Sequence, residues 1–241
     1  MLILIFFVSL IPAGWLYLWL RNRKKEDDLY RKICKKGLLR GAFLCTALVF
    51  LLSSFFYIFE KIFVFLGAGA ILIEIYHNFI LLAFAEELVK YKALKGLMKK
   101  YQYAYSWLDV VSLMMIVGIG FQICESLVYA FGGNAGTMLM RGFTVMHSGY
   151  GFIMGYFIAK GMQTGLKKYT LLGILIPFLM HGLYDFCLSD VLDNISWYFG
   201  CVSLTLAGVA VITLIIAIIT IRRSAKISER IEPLNGADEV Y

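Results

Sequence analysis

The chain reads as long apolar runs separated by short polar stretches. Apolar runs cover residues 2–20, 41–59, 108–131, 142–159, 169–188 and 196–221. Each is about 18–26 residues long, enough for a helix to cross a hydrocarbon core of about 30 Å. Residues 62–98 are longer and mixed, too long for one untilted span. Here the pattern predicts a separate short or re-entrant piece over 62–73, then a helix that continues to Lys99 and Lys100. The predicted fold is all-α, a polytopic transmembrane helical bundle of about seven spans. The first run lacks the basic start of a signal peptide and ends in Arg21-Asn22-Arg23-Lys24-Lys25, so it reads as a span.

Composition agrees with the pattern. Of 241 residues, 61% are hydrophobic and only 16% charged, with mean hydropathy +0.78. Soluble domains sit near 45–50% apolar and about 25% charged. No fixed-period repeat and no second domain is visible, so residues 1–241 read as one integral membrane domain. Its motif helices lie at about 72–190 and a frayed polar tail at about 224–241. The five cysteines form no CxxC and read as four small buried hydrophobes plus a loop thiol, Cys34.

Charge fixes an expected orientation. Of the 23 Lys/Arg, 21 fall in 21–40, 90–100, 160–168 and 222–230. The positive-inside rule makes these loops cytoplasmic, which puts the N-terminus outside and the C-terminus in the cytoplasm. The net charge of +7 is then a topological signal and requires no nucleic-acid partner.

Ionisable groups inside lipid are costly and point to function. The central stretch is Phe84-Ala85-Glu86-Glu87-Leu88-Val89-Lys90, in which one lysine is i+4 to Glu86 and i+3 to Glu87. Lys90, Lys92 and Lys95 are expected to snorkel or line a wet cavity. Glu74 with His77, Glu125, His147, His181 and Asp185 complete the set. At about 1.5 Å per residue, Glu125 is about 24 Å from the cytoplasmic edge and His181 about 18 Å, while His147 is about 9 Å from the outer edge. With its helix extended to Lys99, Glu87 is about 18 Å from the inside. Polar groups on separate helices therefore share a depth. Phe121, Glu125 and Tyr129 lie on one helix face; His181 and Asp185 are i,i+4, so Asp185 can orient the imidazole. His147, Gly151 and Gly155 form a stripe that permits close helix approach. Glu74, His77 and the membrane cysteines are expected at the periphery.

Carboxylates and two histidines around one cavity suit water activation, with a glutamate as general base and with or without a metal. Glu87, Glu125, His147 and His181 would make a four-ligand site for a divalent ion such as zinc. The same residues also fit a proton-coupled transporter or a non-catalytic membrane scaffold.

Glu86-Glu87-x-x-Lys90, Phe121-x-x-x-Glu125 with Tyr129, His147 and His181-x-x-x-Asp185 resemble, in order and placement, the four motifs of PrsW-type intramembrane proteases. These are relatives of the CAAX protease and bacteriocin-processing (CPBP) superfamily. The resemblance spans about residues 80–190. It implies a bacterial multi-pass cell-membrane protease that makes a site-1-type cut in a single-span substrate, such as an anti-sigma factor; the depths of Glu125 and His147 put the expected cut near the outer leaflet. It also implies Glu86, Glu87, Glu125, His147 and His181 as catalytic residues, with Lys90, Tyr129 and Asp185 supporting them. Ser126 departs from the Asn usual after the second-motif glutamate, and Glu125 itself replaces the His of the prenyl endopeptidases. The resemblance leaves open whether a metal takes part.

Overall fold

The computed structural model describes residues 2–101, 103, 105–132, 135–189, 191 and 197–227. Among them all regular structure is helical. The helices are α1 (Leu2–Ser9), α2 (Ile11–Arg21), α3 (Asp28–Leu39), α4 (Thr46–Phe65), α5 (Ala70–Ile75), α6 (Ala85–Lys100), α7 (Trp107–Phe131), α8 (Ala135–Thr144), α9 (Met146–Thr164), α10 (Lys167–Cys187) and α11 (Trp197–Ile227). Two π-helical segments, Arg40–Cys45 and Tyr76–Phe84, join α3 to α4 and α5 to α6 without a break. Among the described residues, five helical stretches are long and apolar enough to cross a membrane: Ile3–Lys24, Asp28–Phe65, Trp107–Phe131, Lys167–Cys187 and Leu204–Arg223.

Several expected boundaries move, each for a local reason. The basic segment after the first run is helical from Asp28 onward. Asp27 caps it by accepting from the Tyr30 N–H at 2.8 Å. Tyr30, Ile33, Cys34 and Gly37 bury one i, i+3, i+4, i+7 face, which leaves the lysines on the other. Cys34 is thus a core residue and no loop thiol. The 62–73 piece is no separate element, since α4 runs to Phe65 and a turn at Leu66–Gly69 leads into α5. The first run is broken at Leu10, two residues before Pro12, which has no N–H to continue the ladder. The expected span 142–159 is two helices, because Val145 takes a left-handed conformation (φ 46°) that ends α8 and starts α9. The continuation of the acidic helix to Lys100 is as expected. In the C-terminal tail, 224–227 are still helical and the remainder lies outside the described residues.

Helix α7 is the axis. In its apolar window 78% of residues are buried inside the bundle, against 11–33% in the other four stretches. It packs most extensively on α9, then on the Arg40–Cys45 segment and α3. Glycines permit the α7–α9 approach. A Cβ on Gly155 would lie 2.7 Å from Val111 Cα, and one on Gly118 would lie 2.4 Å from the His147 carbonyl oxygen. The α9 backbone is thereby seated on α7 at the residue that carries the imidazole.

The basic end of the bundle is tied by a polar clasp. Asp109 is buried in a capping box with Ser106 and takes Arg23 and Lys24 as partners, at 2.8 Å for Lys24. Burial tends to raise the Asp27 carboxyl. The Tyr103 hydroxyl, the Tyr30 N–H and Lys24 outweigh burial and hold it below the usual carboxylate range.

Candidate active site

Four helices bring the expected residues together. Helix α6 supplies Glu86, Glu87 and Lys90 from its first turns, directly after the π-helical segment. Helix α7 supplies Glu125 near its end, α9 supplies His147 in its first turn, and α10 supplies His181 and Asp185 near its end. Counted from Lys100, Trp107, Thr164 and Lys167, the carboxylates and histidines lie about 20–27 Å from the basic end of the bundle and Lys90 about 15 Å, all past the midpoint of their helices. Glu87, Lys90 and His181 are each 1% exposed.

Lys90 is the centre of the network. Its Nζ donates to Glu87 Oε1 at 2.8 Å, Glu86 Oε2 at 3.3 Å and His147 Nδ1 at 2.9 Å. It also sits 4.3 Å from the centroid of the Phe121 ring. An ammonium has no lone pair, so Nδ1 of His147 must accept and its Nε2–H must donate. That donor points to Glu125 Oε2 at 2.7 Å. Glu125 therefore sets the tautomer and orientation of His147, as outer carboxylates commonly do for metal-binding histidines. On the far side, His181 Nδ1 lies 3.1 Å from Glu87 Oε1 and 3.9 Å from Glu86 Oε2. Its Nε2 is 3.1 Å from Asp185 Oδ2, a charge contact whose angle falls short of a hydrogen bond.

The donor set fits a divalent ion. Glu86, Glu87, His147 and His181 each present a ligand atom, and all four lie within 4.8 Å of one another. Glu87 Oε2 is buried and accepts no hydrogen bond among the described residues. Four carboxylates here face one lysine, an imbalance that burial penalises unless further positive charge is supplied. Glu86 takes the place in this group that the sequence spacing offered to Glu125, which instead binds His147 from behind.

Tyr150 and Tyr184 were not singled out in the sequence. Together with Met146, His147 and His181 they line a cavity of about 10 Å³, the size of one water. The Tyr150 ring stacks on His181 at 5.4 Å. A signal existed: both histidines are followed three residues later by tyrosine, so each His-Tyr pair shares a helix face. Ser126 is buried, and its hydroxyl has no partner among the described residues. Glu74 and His77 stay outside the cluster; His77 Nδ1 meets Glu60 Oε2 at 2.7 Å and Glu74 binds Asn78. Cys45 is not peripheral as expected. It is buried, with Sγ 3.9 Å from the Val89 carbonyl on α6.

Comparison with known proteins supplies the frame for this geometry. The family profile described as PrsW family intramembrane metalloprotease matches residues 35–221. Protease PrsW of Clostridioides difficile (strain 630) is 28% identical over 196 residues, covering 76% of this chain and 79% of that protein. Protease PrsW of Bacillus subtilis (strain 168) is 29% identical over 187 residues, covering 76% and 80%. Protease PrsW of Shouchella clausii (strain KSM-K16) reaches 37% over a shorter stretch of 86 residues, 34% of this chain and 40% of that protein. No solved structure matches significantly.

Proposed function

The chain belongs to the PrsW family of intramembrane metalloproteases, and from that membership we propose that the acid–histidine cluster hydrolyses a peptide bond of a membrane-anchored protein within the bilayer. The observation that carries this reading is the convergence of Glu86, Glu87, His147 and His181 within 4.8 Å, next to room for one water. Such a site is buried in a bundle of apolar helices, where ionisable groups need a use.

In this reading His147, His181, Glu86 and Glu87 would hold the family's metal, His147 through Nδ1 once Lys90 Nζ moves off it toward the carboxylates, and Glu125 and Asp185 orient the two imidazoles. A bound divalent ion would supply Lewis-acid polarisation and a more acidic water. The chain's own residues do the rest. Lys90 bridges the two glutamates. Glu87 Oε2 has open acceptor capacity and takes the water's proton as the oxygen adds to the scissile carbonyl carbon. The same carboxyl returns that proton to the departing amine when the C–N bond breaks. Tyr150 and Tyr184 wall the cavity and limit it to a single water. Tyr129, one turn beyond Glu125, supports that end of α7.

The substrate proposed is a single-span protein of a bacterial cell membrane, with an anti-sigma factor as one such class. Seven crossings are proposed: the five apolar stretches, the unit of α5, Tyr76–Phe84 and α6, and α9. The last two carry the site's polar residues, which lowers their apolarity. The basic ends are cytoplasmic, so the N-terminus is outside. The cluster's distance of about 20–27 Å from the basic ends supports a cut in the outer leaflet.

The test is cleavage of a fluorogenic single-span substrate by the purified protein in lipid. Wild type is expected to cut, and Glu87→Gln to lose activity while remaining helical and monodisperse, at a lower melting temperature because the Lys90 ion pair is lost. A Glu87→Gln protein that cuts at the wild-type rate would refute the assignment.

A further inference from the structure

A cavity lies at the basic end of the bundle, far from the acid–histidine cluster. It measures about 500 Å³ and opens between α2 and α11, walled by Trp15, Leu18, Trp19, Arg23, Ile221 and Arg222. Its character changes along its length. Trp15 and Leu18 are exposed apolar side chains, 52% and 51% accessible, on the part of α2 that faces lipid. Trp15 and Trp19 stack at 6.3 Å with planes only 5° apart and form one flat wall. Tryptophans at this level mark the membrane–water interface.

The other end is cationic. The Arg222 guanidinium lies 5.8 Å from the Trp19 ring, and no acid among the described residues pairs with it. Arg23 is held by Asp109 and Tyr30. Its Nε–H is buried nonetheless and has no acceptor among the described residues. Asn22 adds a polar side chain at the rim. A cavity with an apolar, interface-level half and an arginine-lined half has the two-part chemistry of a phospholipid. Basic pockets between membrane helices take anionic head groups on this principle, and guanidinium forks match phosphate oxygens in geometry as well as charge.

We propose that this groove binds an anionic phospholipid, its phosphate between Arg222 and Arg23 and its upper acyl chains along Trp15 and Leu18. The lipid would bridge α2 to α11, which otherwise meet across an open cavity. It is independent of the proteolytic reading, since no residue of the cluster takes part.

Native mass spectrometry of the full chain, released from nanodiscs holding equal phosphatidylglycerol and phosphatidylcholine, tests this. Wild type is expected to retain phosphatidylglycerol selectively, and Arg222→Gln to lower that retention about fivefold, the effect of one basic residue on an anionic lipid. Arg223→Gln removes the same charge from an exposed neighbour outside the groove and is expected to change nothing. Trp19→Ala is expected to lower retention of both lipids. Equal loss from Arg222→Gln and Arg223→Gln would reduce the effect to general surface charge and overturn the proposal. So would equal retention of both lipids by wild type. Displacement of the lipid by inorganic phosphate at equal concentration would show a free-anion site and would also overturn it.

Discussion

Replacing Lys90 with methionine removes an ammonium that three groups share while keeping a side chain of similar length. In the wild-type chain Nζ donates to Glu87 at 2.8 Å, to His147 at 2.9 Å and to Glu86 at 3.3 Å, with Lys90 itself 1% exposed and all three partners buried. Deleting one partner of a buried ion pair costs about 3–5 kcal/mol, because it strands an uncompensated charge. His181 lies 3.1 Å from Glu87 and offsets part of that loss, so the lower end applies. A stability of about 5–15 kcal/mol makes such a loss easy to detect. Lys90 also occupies the lone pair of His147 Nδ1, so its removal opens a ligand atom and subtracts a repelling charge. Zinc at a hundredfold excess over its dissociation constant stabilises a protein by about 2.7 kcal/mol. The expected result is a variant that melts well below wild type in chelator, recovers most of the difference with zinc, and binds zinc more tightly than wild type. Lys92→Met, on the exposed side of the same helix, is the control and should melt like wild type. Melting and zinc binding measured calorimetrically in detergent decide it. A Lys90→Met protein as stable as wild type in chelator, or one with weaker zinc binding, would refute the reasoning.

Three further outcomes are expected. Glu125→Gln retains the shape but weakens the hold on the His147 Nε2–H, and should lower zinc affinity or cleavage about 10–100-fold. Gly118→Ala puts a methyl 2.4 Å from the His147 carbonyl oxygen and should cost about 1–3 kcal/mol and most of the activity; Gly14→Ala, with nothing within 4 Å, should cost neither. The lowered Asp27 carboxyl contributes stability that is full above the ordinary carboxylate value and is lost as pH falls through its lowered one. Asp27→Asn should therefore flatten the acid limb of a melting-temperature profile against pH.

The site was largely legible because burial in lipid makes polar residues stand out. Glu86, Glu87, Lys90, His147 and His181 are conspicuous on apolar helices, and i,i+3 and i,i+4 spacing already joins Lys90 to both glutamates. What the sequence concealed depends on side-chain environment and backbone bends. Tyr150 and Tyr184 look like ordinary aromatic residues of a greasy helix until the tertiary fold sets them on the histidines. The division of labour between Glu86 and Glu125 depends on which carboxylate reaches behind His147, a matter of helix rotation. The bend at Val145 has no glycine or proline to announce it. Helix α3 was hidden by its nine-lysine-and-arginine neighbourhood at 21–40, whose charge reads as loop although Tyr30, Ile33, Cys34 and Gly37 form a buried helical face.

The central claim is that this cluster cuts a peptide bond inside the membrane. Mass spectrometry of both products of a single-span substrate, cleaved in ¹⁸O-labelled water, tests it most directly. The account predicts one ¹⁸O atom in the new carboxyl terminus and a cut in the outer half of the substrate's span, with neither product formed by Glu87→Gln. A cut at the cytoplasmic end of the span, or labelled products from Glu87→Gln at the wild-type rate, would contradict it.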